Sequence, residues 1–321
     1  MKSSYFLYSI LFTLIAIACN QADRKETQVA PTTKEDLGKM LFSDPILSQN
    51  NQISCASCHI PNHAFSDTSA VSKGVNGKLG SRNTPSSMNL SARSFFFHDG
   101  RAETLEDQAA GPIENPVEMN LPIAEAIKKL NANENYKSYF KAIYNEVPNR
   151  INLLNAISSF ERTLETSNTP FDRFMKNDNN AISEAAKRGQ IIFNIKGKCF
   201  DCHFGPDFTG DQFKNIGLYN GKDLNDVGRF VVTKDRNDIG KFKVPGLRNI
   251  TITSPYMHNG MFKTLSEVID YYNTPTTFVK GSINSDTLLL KPLGLSKEEK
   301  SDLLEFLKTL TDDRFKENQN K

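Results

Sequence analysis

The chain has 321 residues and a formal charge of +2, from 39 Lys+Arg against 37 Asp+Glu, so its balance gives no sign of a nucleic-acid partner. That length suits about two domains. Hydrophobic residues make up a modest 38%, which leaves room for a buried prosthetic group to supply part of the apolar core.

Lys2, the apolar run from Phe6 to Ala18 and then Cys19 read as an export signal. Ala16-Ile17-Ala18-Cys19 resembles a lipoprotein cleavage box, which would leave Cys19 lipidated at the mature N-terminus. Ordinary cleavage nearby is the competing reading, and a membrane span would need ~20 apolar residues. Residues 1–19 are therefore expected to be a signal peptide with its lipobox, and residues 20–33, rich in Thr, Gln and charge, a polar tether. Either cleavage takes the protein out of the cytoplasm, to the periplasm.

Thr33-Lys34-Glu35-Asp36 looks like a helix cap ahead of Leu37, Met40 and Leu41, whose spacing puts them on one face. This helix leads into Cys55-Ala56-Ser57-Cys58-His59. A Cys-x-x-Cys-His run is the attachment signature of a c-type haem: two thiols close thioether bonds to the porphyrin and the imidazole reaches the iron. From Ser66 to Ser94 the chain reads as loop, broken by Gly74, Gly77, Gly80 and Pro85. From Ala124 to about Leu164, apolar residues such as Ile127, Leu130, Ile143, Leu153, Ile157 and Phe160 recur at helical spacings and predict two or three helices.

Asn168-Thr169-Pro170 and Asn177-Asp178-Asn179-Asn180 punctuate the next stretch. A helix is expected from Ser183 to Phe193, ahead of a second run, Cys199-Phe200-Asp201-Cys202-His203. The two runs begin 144 positions apart (199 − 55), whereas zinc ribbons separate their pairs by about 15–20 residues. A thioredoxin-like dithiol would not need a histidine after both pairs. Ser296 with Glu299 forms a capping box before Leu303, Leu304, Leu307 and Leu310, and predicts a closing helix. No run shows sustained strand alternation. The expected fold is mostly α, with two cytochrome c-like domains, 34–175 and 183–321, each carrying a haem.

Several blocks together resemble the bacterial di-haem cytochrome c peroxidases and the related enzyme MauG: GKMLFSDPILS before the first haem run, RNTP at 82–85, HDGRAETLEDQAAGPIENPVEM at 98–119, CFDCHFGPDF at 199–208, GKFKVPGLRNIT at 240–251 and SPYMHNG at 254–260. The resemblance implies a peroxidatic N-terminal haem, held by Cys55, Cys58 and His59, and an electron-passing or electron-storing C-terminal haem, held by Cys199, Cys202 and His203. Gln108 and Glu118 fall where the family places the groups that orient peroxide and shuttle its proton; outside that block they would read as solvated residues. Asn83, Thr253 and Pro255 match the family's calcium position between the domains, and turn residues without an ion are the alternative. Arg248 is implied as a haem-propionate partner, with a surface arginine as the alternative.

Three departures stand out. The loop Val71 to Ser81, where many of these peroxidases carry a histidine that blocks the first iron, has none; His63 lies too near His59 to replace it and reads as a surface or packing residue. The position where the peroxidases carry an axial methionine is Tyr272, as in MauG, with Met257 and Met261 the rival ligands; methionine raises a haem's potential, whereas an anionic oxygen lowers it. The family's tryptophan between the haems is replaced by His98 in a chain without tryptophan, and His98 reads either as part of that bridge or as a hydrogen-bonded structural residue. The implied activity is reduction of H2O2 to water, with a MauG-like oxidation of a protein or organic substrate and a plain di-haem electron carrier as alternatives. A small donor such as a cytochrome c or cupredoxin, a lipid anchor at Cys19 and a homodimer complete the partners considered.

Overall fold

The computed structural model describes residues 29–289 and 291–315. The expected signal peptide with Cys19, and most of the expected tether, lie outside them. Among the described residues eleven α-helices carry the chain: α1 Lys34–Ser43, α2 Leu105–Glu114, α3 Ile123–Ala132, α4 Glu134–Tyr144, α5 Arg150–Arg162, α6 Pro170–Met175, α7 Glu184–Asn194, α8 Phe230–Thr233, α9 Leu265–Asn273, α10 Pro275–Phe278 and α11 Lys297–Lys308. The fold is mostly helical, and the strands are one antiparallel pair, β1 Phe213–Lys214 with β2 Phe242–Lys243. No described helix is long and apolar enough to cross a membrane.

The caps read from sequence form as expected. Thr33 Oγ1 accepts from the Asp36 amide at 3.1 Å, while the Asp36 carboxylate accepts from the Thr33 amide at 3.2 Å, so two orphan donors at the start of α1 are satisfied reciprocally. Ser296 and Glu299 do the same for α11, at 3.2 and 2.8 Å. The stretch expected to hold two or three helices holds three, α3 to α5.

Two helix pairs repeat one packing device. In α1, Leu37 and Leu41 are fully buried, and Gly38 beside them lets α5 approach so closely that a Cβ there would lie 1.9 Å from the Ala156 carbonyl oxygen. In α7, Gly189 meets α11 in the same way, with a Cβ falling 1.9 Å from the Asp302 carbonyl oxygen. One apolar cluster gathers Leu37, Leu41, Phe140, Leu153 and Ile157; a second gathers Phe193, Leu265, Ile269, Leu303 and Phe306. The first helix of each pair, α1 or α7, stands just ahead of a Cys-x-x-Cys-His run and packs against its first turn.

A second repetition runs through the loops. Residues 82–112 and 242–272 correspond at a constant offset of 160 (258 − 98), without insertion, matching Pro85 to Pro245, Asn89 to Asn249, His98 to His258 and Thr104 to Thr264. The backbones agree where agreement is least expected: Asn89 and Asn249 have φ of 58° and 62°, and Phe97 and Met257 have 64° and 73°, all left-handed. The bridge Phe96 to Ala102 is matched by Tyr256 to Phe262. Asn89 donates its amide to the Leu164 carbonyl after α5 at 2.8 Å, and Asn249 to the Leu310 carbonyl after α11 at 2.9 Å. The repeats also exchange bonds. The Asn83 amide donates to the His258 carbonyl and the Lys243 amide to the His98 carbonyl, both at 2.7 Å.

Candidate active site

Two cavities follow from this plan. The first, about 600 Å³, is lined by Cys55, Cys58 and His59 at one side and by Gln108, Pro112 and Glu118 at another. The second, about 270 Å³, is lined by Cys199, Cys202, His203, Val268 and Tyr272. Asn83, His98, Lys243, Pro245 and Arg248 line both and form a shared wall.

The histidines are set by backbone carbonyls. His59 Nδ1 lies 3.0 Å from the Phe65 carbonyl oxygen and 2.9 Å from Ser87 Oγ. His203 Nδ1 lies 2.9 Å from the Phe208 carbonyl and 3.1 Å from that of Pro245. A ring that donates from Nδ1 keeps the Nε2 lone pair for a ligand, the usual way a protein fixes a metal-binding tautomer. Burial lowers the pKa of both imidazoles and favours that neutral form. None of Cys55, Cys58, Cys199 and Cys202 is tied up in a disulfide, so each pair is available for attachment to a porphyrin.

Glu118 sits in the turn after α2. Its Oε1 accepts from Asn115 Nδ2 at 2.7 Å and its carbonyl accepts from the Val75 amide at 2.7 Å. Burial raises its pKa, against the opposing pull of Arg101 and Asn115. Gln108 comes from α2, whose start is capped by Thr104 Oγ1 accepting from the Asp107 amide at 3.0 Å. That helix is clamped to α5 by Glu106, which accepts from Arg162 at 2.8 and 2.9 Å and from Ser158 at 2.6 Å.

The 160-residue register sets the two cavities against each other. Pro112 over the first cavity stands where Tyr272 stands over the second, and Gln108 stands where Val268 does. Tyr272 and Tyr271 divide their roles: Tyr271 is fully buried and donates its hydroxyl to the Ile216 carbonyl, whereas Tyr272 lines the cavity and burial raises its phenol pKa. Met257 also borders that cavity, while Met261 is exposed.

The family described as "Di-haem cytochrome c peroxidase" matches residues 32–180. Methylamine utilization protein MauG of Methylorubrum extorquens is 38% identical over 87% of this chain and 79% of its own. The chain belongs to the di-haem cytochrome c peroxidase and MauG family. Cytochrome c551 peroxidase of Nitrosomonas europaea is 34% identical over 93% of this chain and 86% of its own. Among solved structures, a MauG-like protein associated with microbial copper homeostasis superposes with a TM-score of 0.79 at 31% identity, covering 89% of this chain and 92% of that one.

A member of this di-haem peroxidase family is a peroxide-acting oxidoreductase that uses haem c. The residues present fit such groups: two thiols and an imidazole with its Nδ1 side anchored open on each cavity. The remaining residues expected from sequence fall as follows. Asn83, Thr253 and Pro255 each line the second cavity, and Asn83 Nδ2 donates to the Ser69 and Ala70 carbonyls at 3.1 and 3.3 Å. Among the described residues no group of three or more His, Cys, Asp or Glu side chains is arranged to hold a metal ion, so a cation there would rest on amide and carbonyl oxygens. Arg248 reaches both cavities, with its guanidinium bonded to Asp172 at 2.9 and 3.1 Å and to Asp207 at 3.2 Å. His63 Nε2 packs onto the Ser254 carbonyl at 3.0 Å.

His98 Nε2 lies 2.9 Å from the Asn83 carbonyl, and burial lowers its pKa to about 4, so it stands neutral in the shared wall. His258 stacks on Phe242 at 3.8 Å between centroids. Two wall and cavity residues escape sequence reasoning, Lys243 and Glu161. The signal for Glu161 is a carboxyl four residues after Ile157, on the apolar stripe of its own helix.

Proposed function

We propose that this protein reduces H2O2 to water at the N-terminal cavity and passes electrons to it through the C-terminal one. The observation that carries the reading is the register of the repeats: a proline, which offers no ligand, and a glutamine stand over the first cavity where a tyrosine and a valine stand over the second. The first cavity has the more polar lining of the two.

Haem c, attached through Cys55 and Cys58 with His59 beneath, would supply the redox-active iron at which peroxide is taken up. The chain's own residues do the rest. Gln108 orients the peroxide by hydrogen bonding. Glu118 accepts the proton of the inner oxygen and returns it to the outer one, which leaves as water; two electrons and two further protons complete the conversion of H2O2 into two waters. Asn115 holds Glu118 in place through the 2.7 Å bond, and partial burial brings its proton affinity closer to that of the peroxide it must serve. Electrons arrive from a small donor such as a cytochrome c or cupredoxin by way of the second cavity, with His98 in the shared wall in place of the family's tryptophan. A calcium ion on Asn83, Thr253 and Pro255 would tie the two halves together, in the periplasm, with Cys19 as lipid anchor.

The test is stopped-flow absorbance of the fully oxidised protein mixed with stoichiometric H2O2. The ferric bands are expected to be lost rapidly without prior reduction, since the loop Val71 to Ser81 brings no histidine. A protein inert until one haem is reduced would overturn the open first site.

Tyr272 favours a second reading, in which oxidising equivalents are drawn from a protein or organic substrate, as in a MauG-like enzyme. Replacing it tests the premise of that second reading. Tyr272→Met is expected to raise the C-terminal haem's reduction potential by a sizeable part of the ~0.8 V that axial ligands command. Spectropotentiometry reads this directly, and an unchanged potential would remove Tyr272 from the iron.

A further inference from the structure

One carboxyl of the N-terminal cavity has no part in the chemistry above. Glu161, near the end of α5, is 4% exposed and lines the same cavity as Gln108 and Glu118. Its Oε2 is buried without a hydrogen-bond partner. Arg162 next to it does not pair with it, because that guanidinium is forked onto Glu106 of α2, which Ser158 also holds. From α1 the residues packed against α5 are apolar, Leu37, Leu41 and Phe42. On the cavity side the Cys55 thiol is near enough to feel the Glu161 charge, and the same cavity holds Glu118 and Arg101.

An ionised carboxylate so placed is destabilised unless it is paired, and the remedy is to keep its proton. Burial accordingly pushes Glu161 up to about 8; the Arg162 charge opposes this and the Glu106 charge adds to it. At neutral pH the cavity thus contains a carboxylic acid beside the position of its redox group.

We propose that Glu161 is the proton store of the N-terminal cavity, keeping its proton because the buried carboxyl has no partner, holding it more tightly when the cavity's redox group gains an electron, and releasing it to the cavity as peroxide is reduced. This rests on the peroxidase reading above for the use of the proton, but not for its binding. The linkage is reciprocal: an added electron raises the carboxyl's affinity for a proton, and the bound proton raises the affinity for the electron by the same factor. In turnover the Glu161 O–H bond breaks, its proton passes by water to the oxygen left behind once the first water has departed, as one of the two further protons of the reaction, and solvent supplies the other and re-protonates the carboxylate. The electrons come from the donor protein.

The experiment is a spectropotentiometric titration of the full holoprotein from about pH 6 to about pH 9, in wild type, Glu161→Gln and Glu161→Asp. In wild type the electron-binding equilibrium of the N-terminal haem is expected to change by up to tenfold per pH unit around pH 8, the limit for one proton per electron. E161Q should flatten that dependence, and redox-difference infrared spectra should lose a carboxylic C=O signal. E161D should keep the dependence at a displaced pH, and it carries the test should E161Q fail to load its haems. A slope unaltered in both variants, or absent from wild type, overturns the proposal. A slope that E161Q abolishes in a protein that consumes no peroxide would instead sustain the store and sink the peroxidase reading.

Discussion

Glu118→Gln is expected to lower peroxide turnover by about 10²–10⁴-fold, the range over which one positioned acid–base group contributes, equivalent to about 3–5 kcal/mol of barrier. Glutamine keeps the shape of the side chain and an amide oxygen to accept from Asn115, so the turn after α2 should stand. What it removes is the ability to take a proton from one peroxide oxygen and give it to the other. Steady-state H2O2 consumption measures the loss, and absorption spectra of the purified variant show whether both haems are attached. A variant with full haem content and unchanged peroxide turnover would return the chain to the class of di-haem electron carriers, which need no acid at this position.

The second large effect is on stability. Gly189→Ala is expected to destabilise the holoprotein by about 1–3 kcal/mol or more, the range for overpacking, although alanine is the better helix former by about 1 kcal/mol. The added methyl would sit 1.9 Å from the Asp302 carbonyl oxygen, and the atom in the way is backbone, so no side chain can turn aside. Relief requires α7 and α11 to separate, which loosens Phe193 against Phe306, whose centroids are 5.2 Å apart. Gly38→Ala should behave alike through the Ala156 carbonyl. Gly77→Ala is the control: its φ of +72° carries backbone strain of about 1–2 kcal/mol, but the new methyl would meet nothing within 4 Å. Denaturant midpoints rank the three. A Gly189→Ala midpoint equal to or above wild type would show that the crossing has slack, contrary to the geometry.

Much of this was legible because the signals were local. The two Cys-x-x-Cys-His runs need no tertiary context to be read, and the boxes at Thr33 and Ser296 are closed within four residues. Helix α2 was less visible because Gly111 and Pro112 lie inside it, and both are ordinarily breakers. It persists because Thr104 caps its start and Arg162 and Ser158 hold Glu106 from α5, contacts that link positions 52 and 56 residues apart. The two-residue strands β1 and β2 are too short to show alternation. Glu161 was hidden by chemistry: a carboxyl usually marks the wet face of a helix, and here the wet face and the cavity face are different things. The loop repeat was hidden by its low identity, because what it conserves is backbone conformation at Asn89 and Asn249, and at Phe97 and Met257.

The exchanged amide bonds, Asn83 to His258 and Lys243 to His98, set the smallest piece of this protein that can be traded between relatives. Both bonds join backbone groups, which every residue but proline carries, so a graft that brings in residues 82–112 alone keeps them only where the incoming loop follows the native backbone path at the wall between the cavities. A chimera that carries residues 82–112 and 242–272 together meets that condition from one parent. The same bookkeeping says that the two copies, however far their side chains diverge, are inherited as one part.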